Sequence, residues 1–467
     1  MKKMVLGICL LLTAISAAAQ KVFTAQELRA DLTVIRQALE EAHPGLYRYR
    51  SKEEVDRHFT RIGQQLKKGM TEHAFFRLVN PLIAAIGDGH IKFHRQGKPD
   101  DPYAFFEEGY FPLQLYFREG QAFVLRSYSQ VSTLPAGVRI LSINREPISR
   151  LTERLSGQLY ADGNVSSARY AALNNAFAGH YGTFTGAFPK FTISYKEQGG
   201  KRVKTVLKSI NAKQITTETK EAAPYALTYP AKGVALLRIA VFMEKEGMQG
   251  FAAFLDSSFG QFSHQKISTL IIDLRDNEGG TDKLGQTLYA FLARSPFRYY
   301  EKLTVAGTGP YSFAAHATFP AEIDYLKQFV VKVGEAYHFT YKEGLDTLMP
   351  ATNAFGGNVY ILQNGRSFSV TAEFAAIAKD NRRAVFIGEE SGGAMQGNSS
   401  GGFAMVTLPH TRLGLDVPLL GYYMKLQQPF ATDRGIPADH IIIPSAEDIL
   451  QRRDPVMEKA LQLAGAR

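Results

Sequence analysis

Apolar residues recur at helical spacing through the first part of the chain. Between about Thr24 and Ile86 the pattern is helical, and one stripe carries Leu28, Leu32, Ile35 and Leu39. A break at His43-Pro44-Gly45 separates a first helix from a second and a third. The pattern therefore predicts an N-terminal helical cap, which we assign to residues 20–99.

Alternating apolar and polar positions, typical of short strands, follow the helices. They run from Tyr110 to Tyr128, and Phe191 to Ile210 adds two strands around a Gly199-Gly200 turn. Between them, Pro135 to Ile148 and the helical run after it resemble the part of a PDZ domain in which strand, turn and strand precede a helix. We predict a PDZ-like β module over residues 108–210, followed by a polar linker.

Buried-type strands alternate with helices beyond the linker, and this alternation indicates an α/β layer. The predicted strands are Val234 to Ile239, Thr269 to Leu274 and Asn358 to Leu362; the predicted helices begin near Glu246, Lys283 and Val370. The stretch from Pro296 to Phe355 breaks the rhythm and is interpreted as an insertion over one end of the sheet. The class is thus α/β, or α+β overall, with a third domain over residues 222–467.

The first nineteen residues have the pattern of a secretory signal peptide. Lys2 and Lys3 precede an apolar stretch, and Ala17-Ala18-Ala19 offers a cleavage site. No later stretch has the 18 unbroken apolar residues typical of a membrane span, so we expect a periplasmic or secreted protein without a membrane anchor. The only cysteine, Cys9, lies in the segment expected to be removed, which excludes disulfides and a cysteine nucleophile.

Composition and charge indicate a globular protein and argue against nucleic-acid binding. The chain has 467 residues, of which 45% are hydrophobic and 21% charged, as in globular proteins. Its formal charge of +10 falls to 52 − 44 = +8 without the two lysines of the leader. No dense basic run interleaved with aromatic residues occurs, so we expect no nucleic-acid partner.

Three segments could carry chemistry. Ser367-Phe-Ser369 stands where a strand gives way to a helix, whose N-terminus favours a negative oxygen, although Ser369 could instead simply cap that helix. The paired Gly279-Gly280 follows another strand and could present an amide to an oxyanion, or form a plain turn. His90, in Gly87-Asp-Gly-His90, could act as a general base. No histidines have metal-ligand spacing, so neither a metal nor a cofactor is expected.

Taken together, these segments resemble the family of C-terminal processing and tricorn-core serine peptidases. Further resembling motifs, in the family's order, are the His43 to Tyr47 turn, Asp273 to Gly280, Ser367 to Glu373, Gly388 to Gly393, Gly397 to Gly401 and Arg434 to Asp439. The resemblance implies a crotonase/ClpP-like layered catalytic domain, a PDZ-like module that presents substrate, and an exported peptidase related to tail-specific proteases.

The resemblance also assigns the site. It implies Ser369 as nucleophile, with Ser367 as the alternative, and oxyanion donors from Val370 and from Gly279 or Gly280. One branch of the family uses a lysine as base, but Ala394 occupies that position here. The other branch uses a histidine near the start of the resembling region, where His90 lies.

One departure concerns the carboxylate that orients the histidine. The histidine branch takes it from a Gly-Val-Glu-Pro-Asp pattern, whereas this chain has Pro437 in place of the glutamate. Glu389 is assigned as the third catalytic residue, and Glu390, Asp88 and Asp439 remain alternatives. Loss of an orienting residue lowers the rate without changing the reaction class.

The sequence thus predicts an exported serine endopeptidase that cleaves extended polypeptides by a Ser-His mechanism. One alternative is a catalytically impaired protein that binds a peptide or an apolar ligand on the same scaffold. Another is an esterase that shares the nucleophile. The sequence does not define the oligomeric state.

Overall fold

The computed structural model describes residues 21–197, 199–216 and 223–466. The predicted signal peptide with Cys9, and residues 217–222 of the predicted linker, lie outside the described residues. The predicted mixed α/β class is confirmed, with helices and several sheets distributed along the whole described chain. None of the helices in these ranges is both long and apolar enough to cross a membrane.

Three helices dominate the N-terminal part, as the apolar stripe predicts. The elements are β1 (Val22–Phe23), α1 (Ala25–Ala42), α2 (Lys52–Gln65), β2 (Met70–Thr71), α3 (Glu72–Ile86) and β3 (Lys92–His94). Thr24 and Ser51 open α1 and α2 with capping boxes, which satisfy amides that a helix start leaves free. The stripe of α1 is buried. His90 follows α3, so the packing of this helix places it.

The middle part is a twisted antiparallel sheet with two helices. Its elements are β4 (Glu108–Tyr110), β5 (Leu113–Arg118), β6 (Gln121–Ser127), β7 (Arg139–Ile143), β8 (Glu146–Pro147), α4 (Ile148–Ser156), α5 (Ser166–Thr185), β9 (Lys190–Lys196), β10 (Arg202–Lys208) and β11 (Ile210–Asn211). The main sheet has the order β10-β9-β7-β6-β5. The predicted strands occur here, while the PDZ-like character of the module stays a prediction.

A mostly parallel sheet forms the centre of the last part. Its order is β12-β13-β14-β21-β22-β25, with strands β12 (Tyr225–Ala231), β13 (Val234–Ile239), β14 (Thr269–Asp273), β21 (Asn358–Gln363), β22 (Val385–Gly388) and β25 (His440–Ile441). The helices are α6 (Phe251–His264), α7 (Asp282–Ala290), α8 (Ile323–Leu326), α9 (Val370–Asp380), α10 (Ala446–Leu450) and α11 (Pro455–Leu463). Because β13, β14 and β21 run parallel, the loops after β14 and β21 meet at one edge.

The stretch from Pro296 to Phe355, interpreted as an insertion over one end of the sheet, lies between α7 and β21 and forms strands outside the parallel sheet. It contains β15 (Phe297–Arg298), β16 (Tyr300–Val305), β17 (Ala317–Thr318), β18 (Val330–Val333), β19 (Ala336–Phe339) and β20 (Thr347–Leu348). Four of these strands join β23 (Ser399–Thr407) and β24 (Gly414–Met424) in a second large sheet, of order β17-β23-β24-β16-β19-β18. β3 pairs with β24, which ties the His90 segment to this sheet.

Candidate active site

Ser369 lies at the start of α9 in a backbone conformation that a simple helix cap does not need. Its φ is 56° and its ψ is −127°, a region that non-glycine residues rarely occupy. Its side chain makes no capping hydrogen bond, so the alternative that it only caps the helix is not supported. Strained backbone of this kind persists only where the surroundings impose it, and it exposes the hydroxyl at a strand-to-helix turn.

Ser367 has a different environment. Its hydroxyl donates to the carbonyl of Leu274 at 2.9 Å and accepts from the amide of Asn364 at 3.0 Å. Because both of its hydrogen-bonding functions are used in linking the loops after β14 and β21, Ser367 serves the structure of the turn.

His90 faces Ser369 across the junction of the N-terminal and C-terminal parts. Its Nε2 lies 3.0 Å from Ser369 Oγ, and its ring packs on Phe368 with centroids 4.5 Å apart. Burial lowers the pKa of His90 to about 4, against the opposing charge of Asp88. The ring is therefore neutral at neutral pH and able to accept the hydroxyl proton.

The other ring nitrogen of His90, Nδ1, is buried and makes no hydrogen bond with any described residue. Asp88 nevertheless stands close: its Oδ1 accepts from the amides of His90 at 2.7 Å and Ile91 at 3.2 Å. Burial by itself raises the pKa of Asp88, but neighbouring His43 and His90 outweigh it and hold that pKa below its usual range. Asp88 is thus a fixed negative charge beside the imidazole.

The predicted oxyanion residues lie beside Ser369. A Cβ on Gly279, whose φ is +103°, would come within 2.7 Å of Ser369 Cβ, so only glycine allows this approach. The amide of Gly279 donates to Asn277 Oδ1 at 2.9 Å. The amides of Gly280 and Val370 donate no hydrogen bond within the described ranges, and so both are free to bind a negative oxygen.

The structure does not bring the predicted third residue, Glu389, to the histidine. Its backbone pairs with Gln363, and its side chain lines a separate cavity of about 1310 Å³ that also contains Pro437. Burial raises the pKa of Glu389 to about 7. Glu390 pairs with Arg434, and Asp439 with Lys379, so neither contacts His90.

Unlike Glu389, Glu390 and Asp439, Asp162 lies close to His90. No sequence motif had pointed to this residue. Asp162, Asp88 and His90 each place one possible ligand atom within 4.8 Å of the others. Backbone amides already donate to three of the four carboxylate oxygens. The fourth, Asp88 Oδ2, lies 3.2 Å from His43 Nε2, at ion-pair distance but without hydrogen-bond geometry. Contacts within the protein therefore account for the cluster.

A cavity of about 770 Å³ opens onto Ser369 and His90. Its wall includes the aromatic side chains of Phe76, Phe93, Phe105, Phe184 and Phe368. Charged side chains, among them Lys92, Glu278 and Arg366, also line this cavity. The Ser369 hydroxyl and the His90 imidazole therefore lie at an open cleft of the size that small ligands occupy.

Comparisons with known proteins support a family for the C-terminal part of the chain. Residues 233–442 match the model of peptidase family S41, while no curated protein sequence matches the chain significantly. Mature CPAF is similar in structure, with 15% identity, a TM-score of 0.65, and coverage of 94% of this chain and 96% of that one. Mature CPAF complexed with lactacystin is similar at 15% identity and a TM-score of 0.64, with coverage of 94% of this chain and 98% of that one. A putative peptidase from Parabacteroides merdae ATCC 43184 is similar at 14% identity and TM-score 0.48, with coverage of 93% and 96%.

At these identities the structural likeness to CPAF shows a shared fold, and the family match supplies the enzyme class. The resemblance drawn from the ordered motifs is confirmed: residues 233–442 match peptidase family S41, and the chain is a serine-type peptidase.

Proposed function

We propose that the protein is an exported endopeptidase that hydrolyses extended polypeptides with Ser369 as nucleophile and His90 as general base. The observation that carries the proposal is the distance of 3.0 Å between Ser369 Oγ and His90 Nε2. A hydroxyl and a neutral imidazole at hydrogen-bond distance form the pair that activates a serine. Export rests on the charged, apolar and small-residue pattern of the first nineteen residues.

The mechanism follows from these positions. His90 takes the proton of Ser369 as Oγ attacks the scissile carbonyl, and returns it to the leaving amine. The amides of Gly280 and Val370, with the N-terminus of α9 behind them, hold the tetrahedral oxygen. Asp88 stabilises the transient imidazolium through its charge, and no orienting bond to Nδ1 is required. The 3.0 Å contact favours this reaction over the alternative of a binding protein that has lost catalysis.

Hydrolysis of an unfolded protein such as casein tests the proposal. We expect the wild type to release peptides and the variants Ser369→Ala and His90→Ala to lose this activity by at least about a thousandfold. A parallel assay with a small ester separates the esterase alternative, since that enzyme would turn over the ester but not casein. Undiminished casein cleavage by Ser369→Ala would refute the nucleophile.

A further inference from the structure

Asp162 lies between α4 and α5, outside every motif that carries the family resemblance. The side chain belongs to a residue only 1% exposed. Its segment is fixed to the His90 region through the amide of Gly163, which donates to the carbonyl of Gly87 at 2.8 Å. A carboxylate buried in this way needs compensating contacts, because burial disfavours its charge.

Two backbone amides supply those contacts, and they come from the two halves of the active site. Oδ1 accepts from the amide of Gly89 at 2.9 Å, directly before His90. Oδ2 accepts from the amide of Ala394 at 3.1 Å. The residue before Ala394, Gly393, donates its own amide to the carbonyl of Ser367 at 3.2 Å. One carboxylate thus spans the segment that holds the base and the loop that holds the nucleophile.

This connection matters because Ser369 and His90 are 279 positions apart in sequence. Within the described residues no side chain bonds to His90 Nδ1, so the ring depends on its backbone and on Phe368 for its position. Burial and the charge of nearby Asp88 raise the pKa of Asp162 to about 7. The protein therefore retains a carboxylate at an electrostatically unfavourable place, where an apolar residue would leave two amides unpaired.

We propose that Asp162 is a positioning residue, which sets the distance between Ser369 and His90 by clamping the amides of Gly89 and Ala394. This inference rests on the proposed function, because it gives the Ser369–His90 contact its catalytic meaning. Asp162 does not touch the reacting atoms; it acts through the backbone on either side of them. A displacement of about 1 Å between reacting groups can cost about a hundredfold in rate.

Asp162→Asn is the sharpest variant. The asparagine side chain keeps the shape of aspartate and one oxygen that accepts a hydrogen bond. The other oxygen is replaced by an NH₂ group, which faces a backbone N–H and cannot accept its hydrogen bond. We expect kcat on a fluorogenic peptide to fall by about 10- to 100-fold while KM stays within about twofold. The rate at which a fluorophosphonate labels Ser369 should fall by the same factor as kcat.

Asp380→Asn is the matched control. Asp380 is also buried and also accepts two consecutive amides, those of Gln427 and Gln428, at distances of 2.9 to 3.2 Å, but it lies at the far end of α9. We expect it to lower the melting temperature as much as Asp162→Asn and to leave kcat and labelling unchanged. A second variant, Asp162→Ala, should regain part of its labelling rate when formate is added. The formate carboxylate can occupy the vacated space and accept from the amides of Gly89 and Ala394.

The outcomes separate this inference from the proposed function. If the wild type is not labelled at Ser369, the proposed function fails. If the wild type is labelled and Asp162→Asn reacts as fast as Asp380→Asn, or its loss lies in KM alone, only the role of Asp162 is refuted. If both Asp162 variants fail to fold under conditions where Asp380→Asn folds, Asp162 is required for folding. This result also overturns the proposal.

Discussion

Replacing Asp88 with asparagine tests whether a fixed charge beside His90 assists proton transfer. The asparagine side chain keeps the shape of aspartate and one oxygen that can accept hydrogen bonds. In the wild type, Asp88 Oδ1 accepts from the backbone amides of His90 and Ile91 at 2.7 and 3.2 Å. It removes a negative charge that lies within 4.8 Å of a His90 ring nitrogen. The perturbation is therefore electrostatic, with the turn between α3 and β3 retained.

The magnitude follows from that separation. Two unit charges 4.8 Å apart interact by about 3.5 kcal/mol at an effective dielectric constant of about 20. Full loss of this energy in the transition state corresponds to roughly a 300-fold slower reaction. Because solvent and neighbouring dipoles recover part of it, we expect kcat to fall by about 30- to 300-fold. The charge of Asp88 opposes the lowering of the His90 pKa, so its removal should lower that pKa further below about 4.

The assay is the pH profile of kcat/KM for a fluorogenic peptide, with kcat measured at pH 7. The limb that reports protonation of His90 should move to lower pH in Asp88→Asn. Asp31→Asn is the control, since Asp31 is fully buried and accepts the amides of His410 and Thr411 at 2.9 and 2.8 Å, away from the site. Unchanged kcat in folded Asp88→Asn, or a shift of the limb to higher pH, would refute the reasoning.

Three further predictions concern neighbouring positions. Ser367→Ala should lower the free energy of unfolding in urea by about 1–3 kcal/mol, since it leaves buried groups unpaired, yet keep fluorophosphonate labelling at Ser369; loss of labelling would contradict its structural role. Gly279→Ala should reduce kcat by at least about tenfold, because its Cβ would press on Ser369. Gly186→Ala, with a similar φ of +121° and open space, should keep full activity, and equal losses would refute the contact. Burial raises the pKa of Glu373 from 4.5 to about 7, so the folded state binds this proton more tightly than the unfolded chain, and the corresponding stability is lost as pH rises through that range. Glu373→Gln should remove this part of the pH dependence in thermal unfolding; an unchanged slope would contradict it.

Local pattern was sufficient to predict much of the fold. The apolar stripe of the first helix and the buried runs of the parallel strands reflect periodicities that hold in any packed protein. β13 spans Val234–Ile239 as expected, and α9 begins at Val370. Ser369 and His90 were selected because a serine before a helix and a histidine after a Gly-Asp-Gly turn suit the chemistry, and their side chains meet in the structure. Their catalytic roles stay predictions.

Long-range pairing was beyond the reach of local pattern. β16, at Tyr300–Val305, pairs with β24 more than a hundred residues later in the chain. The local sequence of β16 does not indicate which strand it pairs with. Asp162 was missed for the same reason: its function depends on two amides from distant segments, and a lone aspartate in a loop carries no motif. Glu389 was assigned from its position along the chain, which does not report where its side chain lies.

Mapping of a fluorophosphonate adduct by mass spectrometry tests the central claim most directly. We expect one modified residue, Ser369, in the folded wild type at neutral pH, and a loss of labelling in His90→Ala while the circular dichroism spectrum is unchanged. Modification at another residue, or equal labelling of Ser369 without the His90 imidazole, would contradict it.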